Sequence, residues 1–290
     1  MTSRLLPLKS DIIFKLVFGD ARYTEIIRAF LVATLDIPGE EYEELKIIDP
    51  HLERDSPDDK LGILDVRAQL KNKKLISVEI QVRDIPFMAE RVAFSTGRNL
   101  SRQIAPGQDY SQITKAVTIV ITNYDIIADD TYYHHKFWLY DPEHDVGFTD
   151  IMEVHTLELK KLPEVAADNP KENELLDWLR LIRSDREEEI KLLATKTPEM
   201  KMAVSRLVQL SADERTRMLY EAREMYAMDE MVRIKGAHAK GKAEGKAEGK
   251  AEGKAETAIN LLRMNIDKDT VSKATGLSLD EIQGLSNYDS

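Results

Sequence analysis

The stretch GILDVRAQLKNKKLISVEIQV, residues 62–82, decides the fold: it is two runs of alternating apolar and polar residues joined by a short basic insert. Side chains on a strand alternate faces with a period of two. Leu64, Val66, Ala68 and Leu70 therefore share one face, and Ile63, Asp65, Arg67 and Gln69 the other. The second run repeats the pattern, with Ile76, Val78, Ile80 and Val82 against Ser77, Glu79, Gln81 and Arg83. Folding back at KNKK (71–74) pairs the runs antiparallel and sets Asp65 almost opposite Glu79, with Gln81 next along the same face. Two carboxylates side by side repel, which asks for a cation between them or a functional reason. The plain alternative is a charged outer face turned to water, the default for an antiparallel hairpin.

Outward from the hairpin, residues 10–35 predict two helices. Ser10 is an N-cap and Gly19 a stop for the first, and a second apolar-periodic run extends from Tyr23 to Leu35. On the other side, Pro86 opens an amphipathic helix over 86–104. Phe87, Phe94 and Ile104 are its apolar positions, and Arg91, Arg98 and Arg102 form a basic stripe. KAVTIVITNYD (115–125) is a β-branched run suited to a strand buried on both faces, and KFWLYD (136–141) and TDIMEVHTLEL (149–159) add two more strands. Helix, helix, hairpin, helix and further strands make an α/β pattern with a mixed central sheet flanked by helices.

From Lys171 to about Lys240 the sequence is helical in pattern and carries no net charge, with Trp178, Leu179 and Ile182 as anchors. Residues 241–256 are GKAE four times over. On a helix this period stacks Lys on Lys and Glu on Glu at i, i+4, and each Gly costs about 1 kcal/mol relative to Ala. A marginal exposed helix or a spacer is expected. The tail reads as three short helices, the second closed by Gly276 and the third opened by a Ser278–Glu281 capping box. It has a helix-turn-helix pattern, but its third helix carries Asp280 and Glu281 and no Lys or Arg, which argues against base reading. The expected division is a domain at 1–165, a helical extension at 166–240, the repeat at 241–256 and a small helical tail at 257–290.

The 290-residue chain has no cysteine, so disulfides, thiolate metal sites and a cysteine nucleophile are excluded. The start MTSRLLPLKSD lacks an apolar leader-like run, and no apolar stretch approaches membrane-spanning length, so a cytoplasmic protein is expected. A formal net charge of -11 speaks against wrapping nucleic acid over the whole surface. Locally the balance reverses: residues 60–102 hold nine Lys or Arg against four acids, while acids concentrate elsewhere, as in EEYEE at 40–44. The six His show no metal-ligand spacing, and His134 and His135 fall on opposite faces of a strand. What remains is an Asp and a Glu on neighbouring strands, the arrangement a hard cation such as Mg²⁺ uses when a substrate phosphate completes its shell.

KSDIIFKLVFGD at the start, DDKLGILDVRAQ and LISVEIQV in the middle, GQDYSQITKAVTIVIT after them and the Gly/Lys/Glu repeat near the end together resemble the Rpn family of recombination-promoting nucleases. Members are often labelled transposases and belong to the PD-(D/E)xK nuclease superfamily. The resemblance covers about residues 5–165. It implies a restriction-endonuclease-like core and a Mg²⁺-dependent DNA endonuclease of low sequence specificity, linked to recombination or mobile elements. Asp65 and Glu79 match the metal-holding acids, Gln81 falls where the superfamily's usual residue is Lys, and Asp11 matches an acid on the first helix that joins such sites. Glu-Ile-Gln is common in the closer family. DNA contacts are expected from Lys73, Arg91, Arg98 and Arg102, and a homo-oligomer through the helical C-terminal region. A catalytically weak nucleic-acid-binding protein and a protein-interaction module remain the alternatives.

Overall fold

The two alternating runs do pair as expected. After a short first strand, β1 (Lys46–Ile48), come β2 (Val66–Gln69) and β3 (Leu75–Gln81), antiparallel with Val66 opposite Val78, Arg67 opposite Ser77 and Gln69 opposite Leu75. The KNKK insert turns the chain. Lys73 takes a left-handed φ of 66°, and Leu70 and Lys74 close the turn with a backbone bond of 3.0 Å. This computed structural model describes residues 4–48, 66–165 and 167–286, which divide into two compact units, Met1–Glu221 and Ala222–Ser290. Asp65 lies outside the described residues.

In the first unit, β4 (Ala116–Thr122) and β6 (Val146–Glu158) run parallel to β3. β5 (His134–Asp141) lies antiparallel along β6, giving the six-stranded order β1-β2-β3-β4-β6-β5. Every residue of β4 is buried, as its continuous β-branched composition predicts for a central strand. The alternating side chains of β4 belong to two cores. Val117, Ile119 and Ile121 join Ile76, Val78 and Ile80 in the main core, and Val120 faces the other way.

The main core is built with α1 (Asp11–Phe18), α2 (Thr24–Thr34), α4 (Pro170–Arg183), α5 (Glu187–Leu193) and α6 (Pro198–Ala212). Trp178, Leu179 and Ile182 are fully buried there. The Trp178 ring meets Phe18 and Phe30 edge-on, so the helical stretch after the sheet shares one core with it. Gly19 is the C-cap of α1, and a Cβ there would stand 2.7 Å from the Lys15 carbonyl oxygen; that approach, and not its φ of -97°, calls for glycine.

The opposite face of the sheet is covered by α3 (Met88–Ser101), the crossover between the parallel strands β3 and β4. Here the structure corrects the sequence reading. The buried positions of α3 are Met88, Val92, Thr96 and Asn99, while Phe87 and Phe94 are 76% and 72% exposed. The reason lies in the strands beneath, which present polar groups. Asn99 Nδ2 donates to Ser77 Oγ at 3.2 Å, and Thr96 Oγ1 bonds Thr118 Oγ1 at 2.7 Å. A polar sheet face selects a polar helix face, and the phenylalanines are left outside.

In the second unit, α7 (Glu214–Arg263), whose first residues belong to the first unit, continues without a break through the GKAE repeat. Three strong helix formers per repeat offset each glycine, and the residues of 241–252 are all exposed. α8 (Lys268–Thr275) and α9 (Leu279–Ser286) close a small cluster on Ala258, Val271 and Ile282. Gly276 takes the left-handed φ of 69° that ends α8, and Ser278 and Glu281 bond reciprocally at 2.7 and 3.3 Å, as the capping box predicts. No described helix is long and apolar enough to cross a membrane.

Candidate active site

Glu79 does not face water. It projects from β3 beneath α3, is 3% exposed, and accepts a hydrogen bond from Arg91 Nη2 at 3.0 Å. Burial pushes its carboxyl above the usual carboxylate range, and the Arg91 guanidinium pulls it partly back. α3 starts just beyond the carboxyl end of β3 and runs back over it, which is why a residue one turn into the helix meets the last acid of the strand. This is the carboxyl end of two adjacent parallel strands, where α/β sheets place their sites: Glu79 is level with Val120, and Gln81 with Thr122.

Gln81 Nε2 donates to the Arg83 carbonyl oxygen at 2.9 Å. Asp11 stands on the first turn of α1, where the helix dipole favours a carboxylate, and its Oδ1 accepts from the Ile12 N–H at 2.7 Å. Arg91 belongs to Glu79; Arg98 and Arg102 follow at about 10 and 16 Å farther along α3 at 1.5 Å per residue. Lys73 is exposed at the opposite end of β3, about 20 Å from Glu79 at 3.3 Å per residue. The acids of EEYEE lie against this turn: Lys74 pairs with Glu41 at 2.7 Å, Lys71 with Glu43 at 3.5 Å, and Asn72 donates to Glu41. Much of the local positive charge counted in sequence is therefore met by acids that sequence distance had set apart. Among the described residues no three His, Asp or Glu side chains are grouped to hold a metal ion, and Asp65, the other expected ligand beside Glu79, is not among them.

Three groups escaped the sequence reading. Tyr124, just past β4, is buried beside this site. Burial, with Asp84 and Glu79 in its field, pushes its hydroxyl up to about 12. Glu158, at the end of β6 and level with Thr122, is fully buried and accepts from the Ile126 N–H at 2.9 Å and from Lys161 at 2.9 Å, which fixes the segment after β4. On the other sheet face a chain of bonds runs from His134 Nε2 to His155 Nδ1 (2.8 Å) and from His155 Nε2 to Glu153 (2.8 Å), with Lys115 and Lys136 also on Glu153. The Glu-x-His period on β6 was the available signal. It puts both side chains on one face, next to His134 on β5.

Over residues 8–237 the sequence matches the family described as PD-(D/E)XK nuclease family transposase. The chain belongs to this family. No curated protein and no solved structure matches it. The match takes in the hairpin, α3, the whole sheet and α4 to α6, and stops within α7 before the GKAE repeat. The Glu-Ile-Gln segment 79–81 lies within the matched residues.

Proposed function

We propose that the chain is a Mg²⁺-dependent DNA endonuclease of low sequence specificity, acting in recombination or on mobile elements. The observation that carries this reading is the buried Glu79 carboxylate at the end of β3, held under α3 in a chain of the PD-(D/E)XK nuclease family. A carboxylate removed from water with a single half-exposed arginine beside it is a site that gains from a hard cation. The alternation of residues 62–82 pairs Asp65 with Glu79 in the expected hairpin. Two carboxylates with water and phosphate oxygens suffice for Mg²⁺. Bound there, the ion would polarise the scissile phosphate, lower the pKa of a water and stabilise the departing 3′ oxygen.

The chain's own groups do the rest. Gln81, its N–H on Arg83, offers an amide oxygen that orients a water but brings no cation to the transition state. Arg91 neutralises Glu79 and, were a metal ion held by that carboxylate, would be available to a flanking phosphate. Arg98 and Arg102 extend this line and add affinity without sequence readout. Asp11 is the candidate third acid. The test is nicking of supercoiled plasmid by purified protein with Mg²⁺ and with EDTA. Metal-dependent nicking supports the reading; binding without nicking at any divalent ion would favour the weak or inactive alternative that Gln81 raises.

A further inference from the structure

Phe94, which α3 leaves exposed, stands in line with the arginines of that helix, and Phe87 stands exposed at its start. At 100° per residue Phe94, Arg98, Arg91 and Arg102 fall within a sector about 80° wide, and Phe87 is the N-cap residue just before the helix. Glu90, the one acid of the helix, lies about 40° outside it. Neither ring is needed by the core, since α3 docks through Met88, Val92, Thr96 and Asn99. Phe87 is also held at a left-handed φ of 60°, a conformation in which a bulky non-glycine residue is strained, and its side chain is exposed.

We infer that this flank of α3 is a binding face for unpaired DNA, on which Phe87 and Phe94 stack exposed bases while Arg98 and Arg102 meet the adjoining phosphates. The inference rests on the nuclease reading for its choice of ligand and goes beyond it in naming the substrate class: single strands, gaps, flaps or mismatches in place of intact duplex. Large aromatic rings set between cations match the two surfaces that an unpaired nucleotide offers, an apolar base plane and an anionic phosphate. Intact duplex hides the base planes and leaves only phosphates, which the arginines alone would satisfy.

The experiment measures fluorescence anisotropy of a labelled single-stranded oligothymidylate and of a blunt duplex with the full chain in EDTA, so that cleavage plays no part. Phe87→Ala and Phe94→Ala should each weaken single-strand binding at least about fivefold and leave duplex binding within about twofold. Phe94→Trp should retain affinity, and Phe94→Leu, apolar but without a π face, should not. Phe87→Gly should lose affinity with no fall in melting temperature, which separates stacking from a folding role. Unchanged single-strand affinity in both Ala variants, equal loss on duplex, or full rescue by Leu would overturn the inference. Plasmid nicking is read separately: a protein that shows the stacking pattern but never nicks loses the proposed activity and keeps this face.

Discussion

At Glu79 two opposing forces meet on one carboxyl group, and their balance is measurable. Burial raises its pKa and Arg91 lowers it, with burial the larger. A carboxyl whose folded pKa exceeds its unfolded value of about 4.3 keeps its proton longer in the folded chain, so stability is lost as pH rises through that window and stays lost above it. Glu79→Gln removes the titration and keeps the shape. The variant is expected to abolish cleavage yet, in EDTA at pH 7, to melt at or above the wild-type temperature, the gap closing towards pH 4. Arg91 would lose its partner, but its side chain is 36% exposed and water limits that cost to about 1 kcal/mol. A clearly lower melting point at pH 7 would mean that the ion pair outweighs desolvation. Asp65→Ala should likewise abolish nicking; wild-type rates in both variants would refute the site. For Gln81 the expected order is Lys at or above wild type and Ala well below it in turnover, and the reverse order would remove its orienting role. His134 titrates with the opposite sign to Glu79. Burial, with His155 beside it, pushes it down to about 4, so the folded chain resists protonation and loses stability as pH falls from about 6.5. By pH 5 the loss should approach about 2 kcal/mol in urea unfolding, and His134→Gln should flatten it.

Among the elements, the hairpin was legible because a period of two and a turn insert specify both register and faces, and β4 because a continuous β-branched run fits only a strand covered on both sides. α3 was legible as a helix but not in its orientation. Apolar spacing pointed Phe87 and Phe94 inward, whereas Ser77, Thr118 and Glu79 on the sheet beneath draw Asn99, Thr96 and Arg91 towards them. A partner surface that is itself polar cannot be read from the helix alone, and for the same reason the burial of Glu79 was not visible in its strand. The KNKK turn is the converse case: its cations looked available until EEYEE was found against them. The helix and the turn can each be tested as a DNA contact. Arg98→Gln with Arg102→Gln should weaken duplex binding uniformly across sequences and reduce the slope of log affinity against log salt by up to about 1.8, roughly 0.9 per phosphate contact. Lys71→Gln with Lys74→Gln should change that slope by less than about 0.5, since those charges are already neutralised by glutamates. A larger effect at the turn than on the helix would move the DNA to the far end of β3.

For the whole molecule, the question is which part of the chain the chemistry needs. The net charge of -11 is spread over 290 residues, but the family match ends at residue 237, and the sheet, its cores and the Glu79–Arg91 pair all lie within Met1–Glu221. The later unit has a cluster of its own around Ala258, Val271 and Ile282, and the repeat between residues 241 and 252 buries nothing. A segment with only exposed side chains adds no burial free energy to the fold on either side of it, and like charges at i, i+4 give it no pairing energy. Ending the chain after Lys240 is therefore expected to leave the melting temperature of the sheet-bearing unit within about 2 °C and metal-dependent nicking within about twofold, while helical circular dichroism falls in proportion to the residues removed. Deleting one or two GKAE repeats should matter less still. The acidic α9, with Asp280 and Glu281 in its first turn, suits a protein partner or a second chain better than a base pair, so loss of the tail should show in the oligomeric state before it shows in DNA affinity. A truncated protein that folds, holds its melting temperature and fails to nick with Mg²⁺ present would place the tail within the active assembly.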